Sequence, residues 1–537
     1  MIKINQSSIQ QDIQPDITLL FEEILSKIED GIDVESAKLS VYRRYHLNRG
    51  IRNSELIEYC KRTGRKNLIP VLRKRIPRTL SGVTPVAVMT VSSCPHGRCI
   101  YCPRGDRAPQ SYTGREPAAL RAAQNRFDPW LQVRARLKQY EQLGHPTDKC
   151  ELIIMGGTFL AQSLKYKGSF IKGCYDGFNG YHSPDLPTAR DNNEFAKHRV
   201  VGLTIETRPD WSKKPHINEM LYYGATRVEL GVQTIYNNIY ERIQRGHTVE
   251  DVVEATQLLK DSGFKICYHM MPGLFLSKEE DVEVIKKLFD DERFRPDMLK
   301  IYPTLVMEDT GLYHLWKRGE YRPYNTQEAM DVISEMYRYI PEYVRVMRVQ
   351  RDIPTHLVID GVKNSNLRQL VERQAREKGI VIHEIRYREY GMMLYRMLRE
   401  GINIDWERWN KQSIKITRYR ASGGTEYFIS YENGYNAILG FVRLRIPYEP
   451  FRPEITKETG LIRELHVYGS ELPVGKRQEI KLSVQHKGIG RKLMNLAEEI
   501  AKDVGMKDMI VISGVGVRGY YRKLGYSLKG PYMWKEL

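Results

Sequence analysis

Short strand-like segments alternate with helical segments between about residues 84 and 345, and this alternation constrains the fold more than any other feature. Apolar segments such as "TPVAVMTV", "CELIIMGGT" and "MLKIYPTLV" have the length of buried strands. The helical segments carry end signals; in "TVEDVVEATQLLKDSG", Thr248 is a typical N-cap and Gly263 follows the last turn. At least six such strand–helix units predict a parallel sheet that curls into a full or partial (β/α) barrel.

The whole chain divides into four regions. Residues 1–80 have helical apolar spacing and then a basic run, which predicts a small helical, basic N-terminal region. Residues 81–345 form the barrel, within which the Gly- and Tyr-rich segment near 165–192 is interpreted as a surface insertion. Residues 346–385, rich in Arg, are interpreted as a linker. Residues 386–537 change to antiparallel strands, a glycine turn, a helix and a final strand, so a second α/β domain is expected and the fold class is α/β.

The composition is ordinary for a soluble globular protein, with 41% hydrophobic and 28% charged residues. The N-terminal "MIKINQSSIQQDIQPDI" is too polar for a signal peptide, and the apolar runs are too short to cross a membrane. We therefore expect a cytoplasmic protein that does not associate with a membrane. The odd count of seven cysteines and the reducing cytoplasm argue against structural disulfides.

Positive charge is concentrated in residues 61–78 of a chain whose formal net charge is +18. The segment "KRTGRKNLIPVLRKRIPR" carries eight Lys or Arg residues and no acidic residue. A dense run of one sign favours a polyanionic partner, although a solvated basic face is the plainer alternative. The residues that we assign to nucleic-acid contact are Lys61, Arg62, Arg65, Lys66, Arg73, Lys74, Arg75 and Arg78.

Three of the seven cysteines, Cys94, Cys99 and Cys102, lie within nine residues, in "VSSCPHGRCIYCPRG". This loop follows a predicted strand, so the thiols lie at the end of the barrel where such folds carry their chemistry. A zinc site with His96 as the fourth ligand is one interpretation. An iron–sulfur cluster with one iron left open is the other. The remaining cysteines are scattered singly and are interpreted as buried small apolar residues; they are Cys60, Cys150, Cys174 and Cys267.

The C-terminal region contains a second candidate site in "QHKGIGRKLMNLAEEIAKDVG". The segment begins at Gln485, has the spacing Q-x-x-G-x-G, and continues as an amphipathic helix. Gly488 and Gly490 leave backbone N–H groups accessible at the start of that helix. A helix start of this kind can bind a pyrophosphate.

The cysteine loop after the first barrel strand resembles that of the radical S-adenosylmethionine (SAM) enzymes. Their commoner spacing is C-x3-C-x2-C, and here the first gap is one residue longer. The resemblance implies that Cys94, Cys99 and Cys102 hold a [4Fe-4S] cluster whose open iron binds SAM. It also implies SAM contacts from the strand ends "MGGT", "TIETRPD" and "GVQT", although a glycine pair can simply form a tight turn. These SAM residues are Gly156, Gly157, Thr158, Glu206 and Gln233.

The order strand, Q-x-x-G-x-G, helix, strand and Y-x-x-x-G-Y resembles the GCN5-related N-acetyltransferases. The resemblance implies that this domain binds acetyl-CoA, with Tyr521 beside the thioester sulfur as a proton donor. Core packing is the alternative role for one member of the pair Tyr520 and Tyr521. The residues that the resemblance assigns to acetyl-CoA are Leu465, His466, Val467, Tyr468, Gln485, Gly488, Ile489, Gly490, Arg491 and Tyr521.

Together the two domains resemble the family of the Elongator catalytic subunit and its single-chain relatives. The phrases that carry the resemblance include "CPHGRCIYCP", "QSYTGREP", "TIETRPD", "RGHT", "RELHVYGS" and "GPYM". The family places a carboxymethyl group on carbon 5 of the tRNA wobble uridine. A SAM-derived 5′-deoxyadenosyl radical removes hydrogen from the acetyl methyl of acetyl-CoA, and the resulting carbon radical adds to the uracil.

The same resemblance implies that tRNA is a partner and that an external electron donor reduces the cluster. It assigns Lys149 to acetyl-CoA binding, and it assigns Lys149 and Tyr521 as the catalytic residues. A barrel lysine that reaches acetyl-CoA predicts that the two domains pack face to face. Two alternatives remain at this point: a protein lysine acetyltransferase with a structural iron–sulfur barrel, and a tRNA-binding scaffold. Monomer and homodimer are both open. Since no cysteine lies beyond Cys267, a cysteine-based zinc site in the C-terminal half is excluded.

Overall fold

A computed structural model describes residues 16–47, 49–73, 82–105, 108–468 and 488–537 of the 537-residue chain. Its architecture is α/β, with a curled parallel sheet followed by a second, mostly antiparallel sheet. The predicted fold class and partial barrel are confirmed. Among the described residues, none of the helices has the length and apolar character needed to cross a membrane.

Four short helices form the N-terminal region and share a small core of their own. They are α1 (Ile17–Glu29), α2 (Val34–Arg44), α3 (Asn53–Thr63) and α4 (Ile69–Leu72). The region packs on the barrel through α3, where the Lys61 ammonium donates to the Glu141 carbonyl at 2.6 Å.

Seven parallel strands form the barrel sheet, in the order β1-β2-β3-β4-β5-β6-β8, with β1 and β8 at its edges. A separate antiparallel pair joins β7 to β9. The bounds are β1 (Thr84–Met89), β2 (Lys149–Met155), β3 (Arg199–Thr207), β4 (Arg227–Gln233), β5 (Lys265–Met270), β6 (Met298–Ile301), β7 (Val306–Met307), β8 (Arg345–Arg348) and β9 (Val358–Asp360).

Helices cover the outside of this sheet and begin where the sequence places their caps. The Thr248 hydroxyl accepts a hydrogen bond from the Asp251 N–H, as its position before an apolar helical run predicts. The helices are α5 (Pro117–Gln124), α6 (Pro129–Gln142), α7 (Leu164–Asn179), α8 (Leu186–Asn192), α9 (Lys214–Tyr222), α10 (Asn237–Arg242), α11 (Val249–Asp261), α12 (Lys278–Asp290), α13 (Gly311–Lys317), α14 (Thr326–Met336) and α15 (Leu367–Glu377).

The segment near residues 165–192 is not an insertion, contrary to the interpretation from sequence. It forms α7 and α8, and α7 buries its apolar face in the main core. Its glycines allow close helix packing: a Cβ on Gly173 would lie 2.6 Å from Pro129 of α6, and one on Gly177 would lie 2.9 Å from Val133. The glycines that suggested a loop are therefore contact points between two helices.

Residues 346–385 also contain regular structure rather than only a connector. They include most of β8, all of β9, and α15, which packs against α14. Leu367, Val371 and Ala375 of α15 are fully buried. Short helices α16 (Ile385–Arg388), α17 (Tyr390–Arg399) and α18 (Trp406–Asn410) then lead into the second sheet. The proposed domain boundaries remain a prediction.

The C-terminal sheet has the order β10-β11-β12-β13-β14-β16-β15. Its central strands β13 and β14 run parallel and pair only as far as Ile462 opposite Val511, after which they separate. The bounds are β10 (Gln412–Ala421), β11 (Gly424–Asn433), β12 (Ile438–Ile446), β13 (Thr459–Val467), α19 (Ile489–Asp503), β14 (Asp508–Val511), α20 (Arg518–Arg522), β15 (Ser527–Lys529) and β16 (Tyr532–Glu536).

A buried ionic cluster holds the C-terminal sheet against the barrel. Arg463 of β13 donates to both carboxylate oxygens of Asp297, at 2.7 and 2.6 Å, and Arg445 of β12 pairs with Asp261 at 2.6 Å. Glu426 of β11 bridges the two arginines at 3.0 Å each. All five side chains are at most 1% exposed. The two domains therefore pack face to face, at the N-terminal ends of the barrel strands.

Candidate active site

A cavity of about 2240 Å³ occupies the inside of the barrel and continues into the C-terminal domain. Cys94 lines it beyond the C-terminal end of β1, and Tyr521 lines it on the C-terminal domain. Between them, alternate residues of the strands point into the cavity, because successive side chains of a strand point to opposite faces. The two sites predicted from sequence therefore open into one chamber.

The three cysteines lie in one loop, with different surroundings for each thiol. The Cys94 sulfur receives a hydrogen bond from the Thr158 hydroxyl at 3.3 Å. The Cys99 sulfur lies 3.3 Å from His96 Nε2, and the Cys102 sulfur lies 3.5 Å from the Ser111 hydroxyl. Burial is the main cause that raises the pKa of the Cys94 and Cys102 thiols. Coordination to a metal is what would keep them deprotonated.

The cysteine loop fits an iron–sulfur cluster better than a single zinc ion. Zinc draws its sulfur and nitrogen ligands to about 2.0–2.3 Å from one centre. Among the described residues, three donor atoms of His, Cys, Asp or Glu lie within 4.8 Å of one another at Glu229, Cys267 and His269. The loop cysteines and His96 do not form such a set.

The "MGGT" strand end is packed directly against the cysteine loop. Gly157 has φ +51°, and a Cβ there would lie 2.4 Å from the Ser92 carbonyl oxygen. The Thr158 N–H donates to the Ser93 carbonyl at 3.3 Å. Gly156, at φ +110°, makes a similarly close approach to Thr90. Only glycine allows the backbone of β2 to come this near to the residues that precede Cys94.

Charged side chains fill the middle of the barrel. Lys300 contacts Glu229 and lies 3.2 Å from Glu206, while His269 Nε2 lies 2.8 Å from Glu229. Burial opposes the charge on Glu229, but Lys300 and His269 hold its pKa well below its usual value. The Tyr112 hydroxyl donates to Glu206 at 3.1 Å. Glu206, which was predicted to contact SAM, is thus also part of an ionic network in the barrel.

Gln233 ends β4 with φ +73°, an uncommon backbone conformation for a residue other than glycine. Its side chain lines the cavity, and its buried Oε1 has no hydrogen-bond partner among the described residues. A buried acceptor without a partner costs free energy, so Gln233 fits a role in holding a polar ligand.

Sequence reasoning missed the charged residues of the barrel interior. A signal was present: strands such as "RVELGVQ" and "KICYHM" place charged or polar residues at alternate positions among apolar ones. That alternation marks an inward face that is polar. The missed residues include Arg227, Glu229, Lys265, His269, Lys300 and Arg345.

The C-terminal part of the cavity has the features predicted for acetyl-CoA. Beyond Ile462, β13 has no described strand partner on the side of β14, and Leu465, His466 and Val467 lie in this separated stretch. Tyr468 follows, and its N–H donates to the Leu439 carbonyl at 2.9 Å. Among the described residues, one edge of this backbone therefore has no strand paired to it.

The helix start predicted to bind pyrophosphate borders the same part of the cavity. Gly488, at φ +110°, is the N-cap of α19, followed by Ile489. Gly490 approaches Tyr520 closely, since a Cβ on it would lie 2.6 Å from the Tyr520 hydroxyl. Arg491 is exposed and also lines the cavity. Gln485 lies outside the described residues.

The tyrosine pair consists of a buried member, which packs in the core of the C-terminal domain, and a more exposed member. Tyr521 is 6% exposed and Tyr520 is 39% exposed, with ring centroids 5.3 Å apart. Burial, with smaller contributions from Tyr520 and Glu464, raises the pKa of the Tyr521 phenol above its usual value. The phenol stays protonated near neutral pH and can donate a proton.

Lys149 begins β2 at the end of the barrel that faces the C-terminal domain. It is exposed, and it lines the cavity. The face-to-face packing that its predicted role requires is present. Gly514 and Gly516 of the C-terminal domain lie against the backbone of β3, next to Lys149 in the sheet.

The basic run is only partly available to a ligand. Lys61, Arg62 and Lys66 are exposed, but Arg65 pairs with Glu22 at 2.7 Å. The Arg73 Nε donates to the Gly144 carbonyl at 2.9 Å. The other predicted contacts, Lys74, Arg75 and Arg78, lie outside the described residues.

Three family models match the chain in sequence order. They are the Radical SAM superfamily over residues 88–289, the Radical SAM C-terminal domain over residues 296–377 and the Acetyltransferase (GNAT) family over residues 392–526. The first extends from β1 to α12, the second from β6 to α15, and the third from α17 to α20.

Relatives match this chain over almost its whole length. The tRNA uridine(34) acetyltransferase of Methanocaldococcus jannaschii is 51% identical over 96% of this chain and 97% of its own. Elongator complex protein 3 of Homo sapiens is 41% identical, with 96% of each chain covered. The solved structure of Methanocaldococcus infernus Elp3 with residues 1–46 deleted is 48% identical, has a TM-score of 0.76, and covers 86% of this chain and 100% of that one. This chain therefore belongs to the family of the tRNA uridine(34) acetyltransferases and Elongator complex protein 3.

Proposed function

We propose that this protein is a cytoplasmic enzyme that uses SAM and acetyl-CoA to form 5-carboxymethyluridine at the wobble position of tRNA. The wobble uridine is the substrate that the names of the tRNA uridine(34) acetyltransferase relatives indicate. The carboxymethyl product, the cofactors and the site residues are part of this proposal.

The observation that carries the proposal is the single cavity of about 2240 Å³ that extends from Cys94 to Tyr521. A radical made at one site and an acetyl group held at another can react only if they meet, since the reacting atoms must approach to about 3–3.5 Å. A closed barrel core would separate them. The polar, open interior of this barrel supports a reaction between them.

Each group of residues has a part in this proposal. Cys94, Cys99 and Cys102 hold a [4Fe-4S] cluster, and the "MGGT" turn with Glu206 and Gln233 holds SAM. When bound, the cluster and SAM supply the radical that activates the acetyl methyl. The open edge of β13 and the start of α19 hold acetyl-CoA. Lys149 orients acetyl-CoA from the barrel side, and Tyr521 protonates the departing thiolate.

The exposed basic residues of the N-terminal region would bind tRNA through its phosphates. Their positive charge favours RNA over a basic protein tail as the acceptor. Binding should weaken as the salt concentration rises, because each phosphate contact releases counterions.

Anaerobic reconstitution tests the proposal. The protein is loaded with iron and sulfide and incubated with reductant, SAM, acetyl-CoA and tRNA, and the nucleosides are analysed by mass spectrometry. We expect 5-carboxymethyluridine from the wild type. Its absence from a fully loaded enzyme would contradict the proposal, and acetylation of a lysine peptide at a comparable rate would favour a protein acetyltransferase instead.

Two cysteine variants sharpen this test. Cys99→Ala should lose the product and retain tRNA binding. Cys174→Ala is the matched control, because Cys174 is equally buried but lies in α7, on the outside of the barrel sheet. It should keep a full cluster and nearly full activity. Equal activity of both variants would exclude the cluster assignment.

A further inference from the structure

Four ionisable side chains meet on the inner face of the barrel, one from each of four neighbouring strands. They are Glu206 of β3, Glu229 of β4, His269 of β5 and Lys300 of β6. His269 Nε2 lies 2.8 Å from a Glu229 oxygen, and Lys300 contacts Glu229 and lies 3.2 Å from Glu206. The His269 ring also packs edge-on against the Tyr302 ring, with centroids 5.5 Å apart. These contacts fix the orientation of the imidazole.

The contact with Glu229 decides which nitrogen of His269 carries the proton. Burial opposes the charge on Glu229, but Lys300 and His269 hold its pKa well below the usual value, so it is a carboxylate. Burial, with a contribution from Lys300, lowers the pKa of His269, which keeps its ring neutral near pH 7. Since a carboxylate only accepts hydrogen bonds, the proton is on Nε2. Nδ1 then carries a lone pair; among the described residues no hydrogen bond to it is recorded, and the ring lines the cavity.

The dyad of Glu229 and His269 lies between the two predicted ligand sites of the cavity. Gln233, in the predicted SAM site, is four residues beyond Glu229 on β4. Lys265, whose charge interacts with Glu464 of the C-terminal domain, is four residues before His269 on β5. At roughly 3.3 Å per residue, each lies about 13 Å along its strand from the dyad. A pyrimidine that receives an acetyl-derived group in this cavity therefore lies at the level of the dyad.

The proposed reaction requires a base at this level. Carbon 5 of a uridine carries one hydrogen and carbon 5 of a 5-carboxymethyluridine carries none, so that hydrogen must leave the ring. When the acetyl-derived carbon radical bonds to carbon 5, the unpaired electron is on carbon 6. Loss of the carbon 5 hydrogen as a proton leaves the two electrons of its bond behind. Two of these three electrons form the double bond between carbons 5 and 6, and the third passes to a one-electron acceptor of the oxidised iron–sulfur class.

The other polar groups around the dyad are unsuited to accept that proton. The two carboxylates are paired with Lys300, which is itself a cation. Burial raises the pKa of the Tyr112 and Tyr302 phenols, which keeps both protonated. The lone pair on His269 Nδ1 is the acceptor that this part of the described structure offers.

We infer that His269 is the general base that removes the carbon 5 proton of the wobble uridine, and that Glu229 positions its ring. This inference rests on the proposed function. The proton moves from carbon 5 to Nδ1, and the Glu229 carboxylate stabilises the imidazolium that forms. A positioned base of this kind accelerates the step that it serves by about 10²–10⁴-fold.

The test separates formation of the radical from completion of the product. Reconstituted protein is given SAM, reductant, tRNA and acetyl-CoA with three deuterium atoms in its methyl group. Deuterated 5′-deoxyadenosine then counts radical events, and 5-carboxymethyluridine counts completed reactions. For His269→Asn, we expect deuterated 5′-deoxyadenosine still to form, and its ratio to 5-carboxymethyluridine to rise about tenfold or more above that of the wild type. His314→Asn is the control, because His314 of α13 is exposed and does not line the cavity, and it should keep the wild-type ratio.

Chemical rescue tests directly for a base. The cavity of about 2240 Å³ has room for a small molecule in place of the ring that His269→Ala removes. We expect added imidazole to restore 5-carboxymethyluridine and to return the ratio toward that of the wild type. Pyrazole has the same shape but is a much weaker base, so it should not rescue the variant.

A second measurement requires neither a cluster nor activity. Cluster-free protein is labelled with ¹⁵N-histidine, and the His269 signals are identified by their loss in His269→Asn. Near pH 7 we expect a neutral ring with its proton on Nε2, and in Glu229→Gln we expect the two tautomers to mix. An imidazolium near pH 7, or a proton held on Nδ1, would overturn the inference.

The remaining outcomes also decide. A wild-type ratio in His269→Asn, or rescue by pyrazole as effective as that by imidazole, would overturn the inference. So would the loss of 5′-deoxyadenosine together with the product in a loaded variant, because His269 would then only maintain the site. If His269→Asn loads no cluster, Glu229→Gln and the ¹⁵N spectrum decide, since loss of tautomer control should also raise the ratio. Failure of the proposed function is distinguishable, because the wild type itself would then form neither deuterated 5′-deoxyadenosine nor 5-carboxymethyluridine.

Discussion

At the scale of single residues, the neighbours of a buried acid decide whether it carries a charge. Glu229 and Asp281 are both buried. Glu229 contacts Lys300, and its pKa is held well below the usual value. Asp281 accepts hydrogen bonds from the Gly273 N–H at 2.6 Å and the Tyr324 hydroxyl at 2.8 Å, and no ion pair to it is recorded among the described residues. Burial therefore raises the pKa of Asp281 to about 7.

The raised pKa of Asp281 predicts a pH-dependent contribution to stability. The folded state holds the proton more tightly than the unfolded state, so the contribution is full below about pH 4 and is lost as the pH rises through about 7. Asp281→Asn keeps an acceptor oxygen and cannot ionise. From about pH 4 to about pH 7, we expect the free energy of unfolding of the wild type to fall relative to this variant, on the order of 1 kcal/mol per pH unit, and to level off above that range.

Chemical denaturation of both proteins across that pH range measures the effect. Glu335→Gln is a control, because Glu335 is paired with Arg338 and its pKa is lowered rather than raised. A stability difference between Asp281→Asn and the wild type that does not change with pH would contradict the explanation.

At the scale of secondary-structure elements, the ends of the strands were predictable and the barrel interior was not. The caps, the "MGGT" turn and the glycines before α19 are local signals, since each depends on one backbone conformation. The helix α7 was missed because its glycines serve contacts with α6, which only the folded chain reveals. The alternating polar residues of these strands indicate a polar inward face, but the ion pairs on it, such as that of Lys300 with Glu229, join residues far apart in the sequence and were not predictable.

Two glycine substitutions compare a glycine that the fold requires with a glycine that it does not require. Gly157→Ala should disrupt the contact between the "MGGT" turn and the cysteine loop, because its Cβ would lie 2.4 Å from a backbone oxygen at a positive φ. We expect loss of SAM binding, measured by calorimetry. Gly168→Ala lies inside α7 with nothing within 4 Å of its Cβ and should stabilise the protein by about 0.5–1 kcal/mol. Normal SAM binding by Gly157→Ala would refute the role of the turn.

At the scale of the whole molecule, the buried ionic cluster makes the two domains one unit. Burial opposes ionisation of Asp297, but Arg463 and Lys260 hold its pKa well below the usual value. Lys260 of α11 joins this cluster, 3.5 Å from Asp297 and 3.7 Å from Glu426. With Lys260, both the acids and the cations of the cluster come from both domains. The cavity can therefore keep its shape on both sides of the domain boundary.

Removal of one cation from this cluster should uncouple the domains. Arg463→Met leaves Asp297 and Glu426 buried with fewer counter-charges, which costs about 3–5 kcal/mol. We expect an earlier, separate unfolding transition of the C-terminal domain in differential scanning calorimetry. Arg373→Met is the matched control, because its pair with Glu377 is exposed, and it should change stability by less than about 1 kcal/mol. Equal effects of the two substitutions would show that the cluster does not couple the domains.

In the proposed reaction, the acetyl group on the C-terminal domain meets the radical chemistry of the barrel inside one cavity. The most direct measurement uses acetyl-CoA whose methyl group carries three deuterium atoms, with reconstituted protein, SAM, reductant and tRNA. We expect one deuterium in the released 5′-deoxyadenosine and two in the carboxymethyl group of the modified uridine. Release of 5′-deoxyadenosine without deuterium, together with unmodified uridine, would show that the radical does not react with the acetyl group.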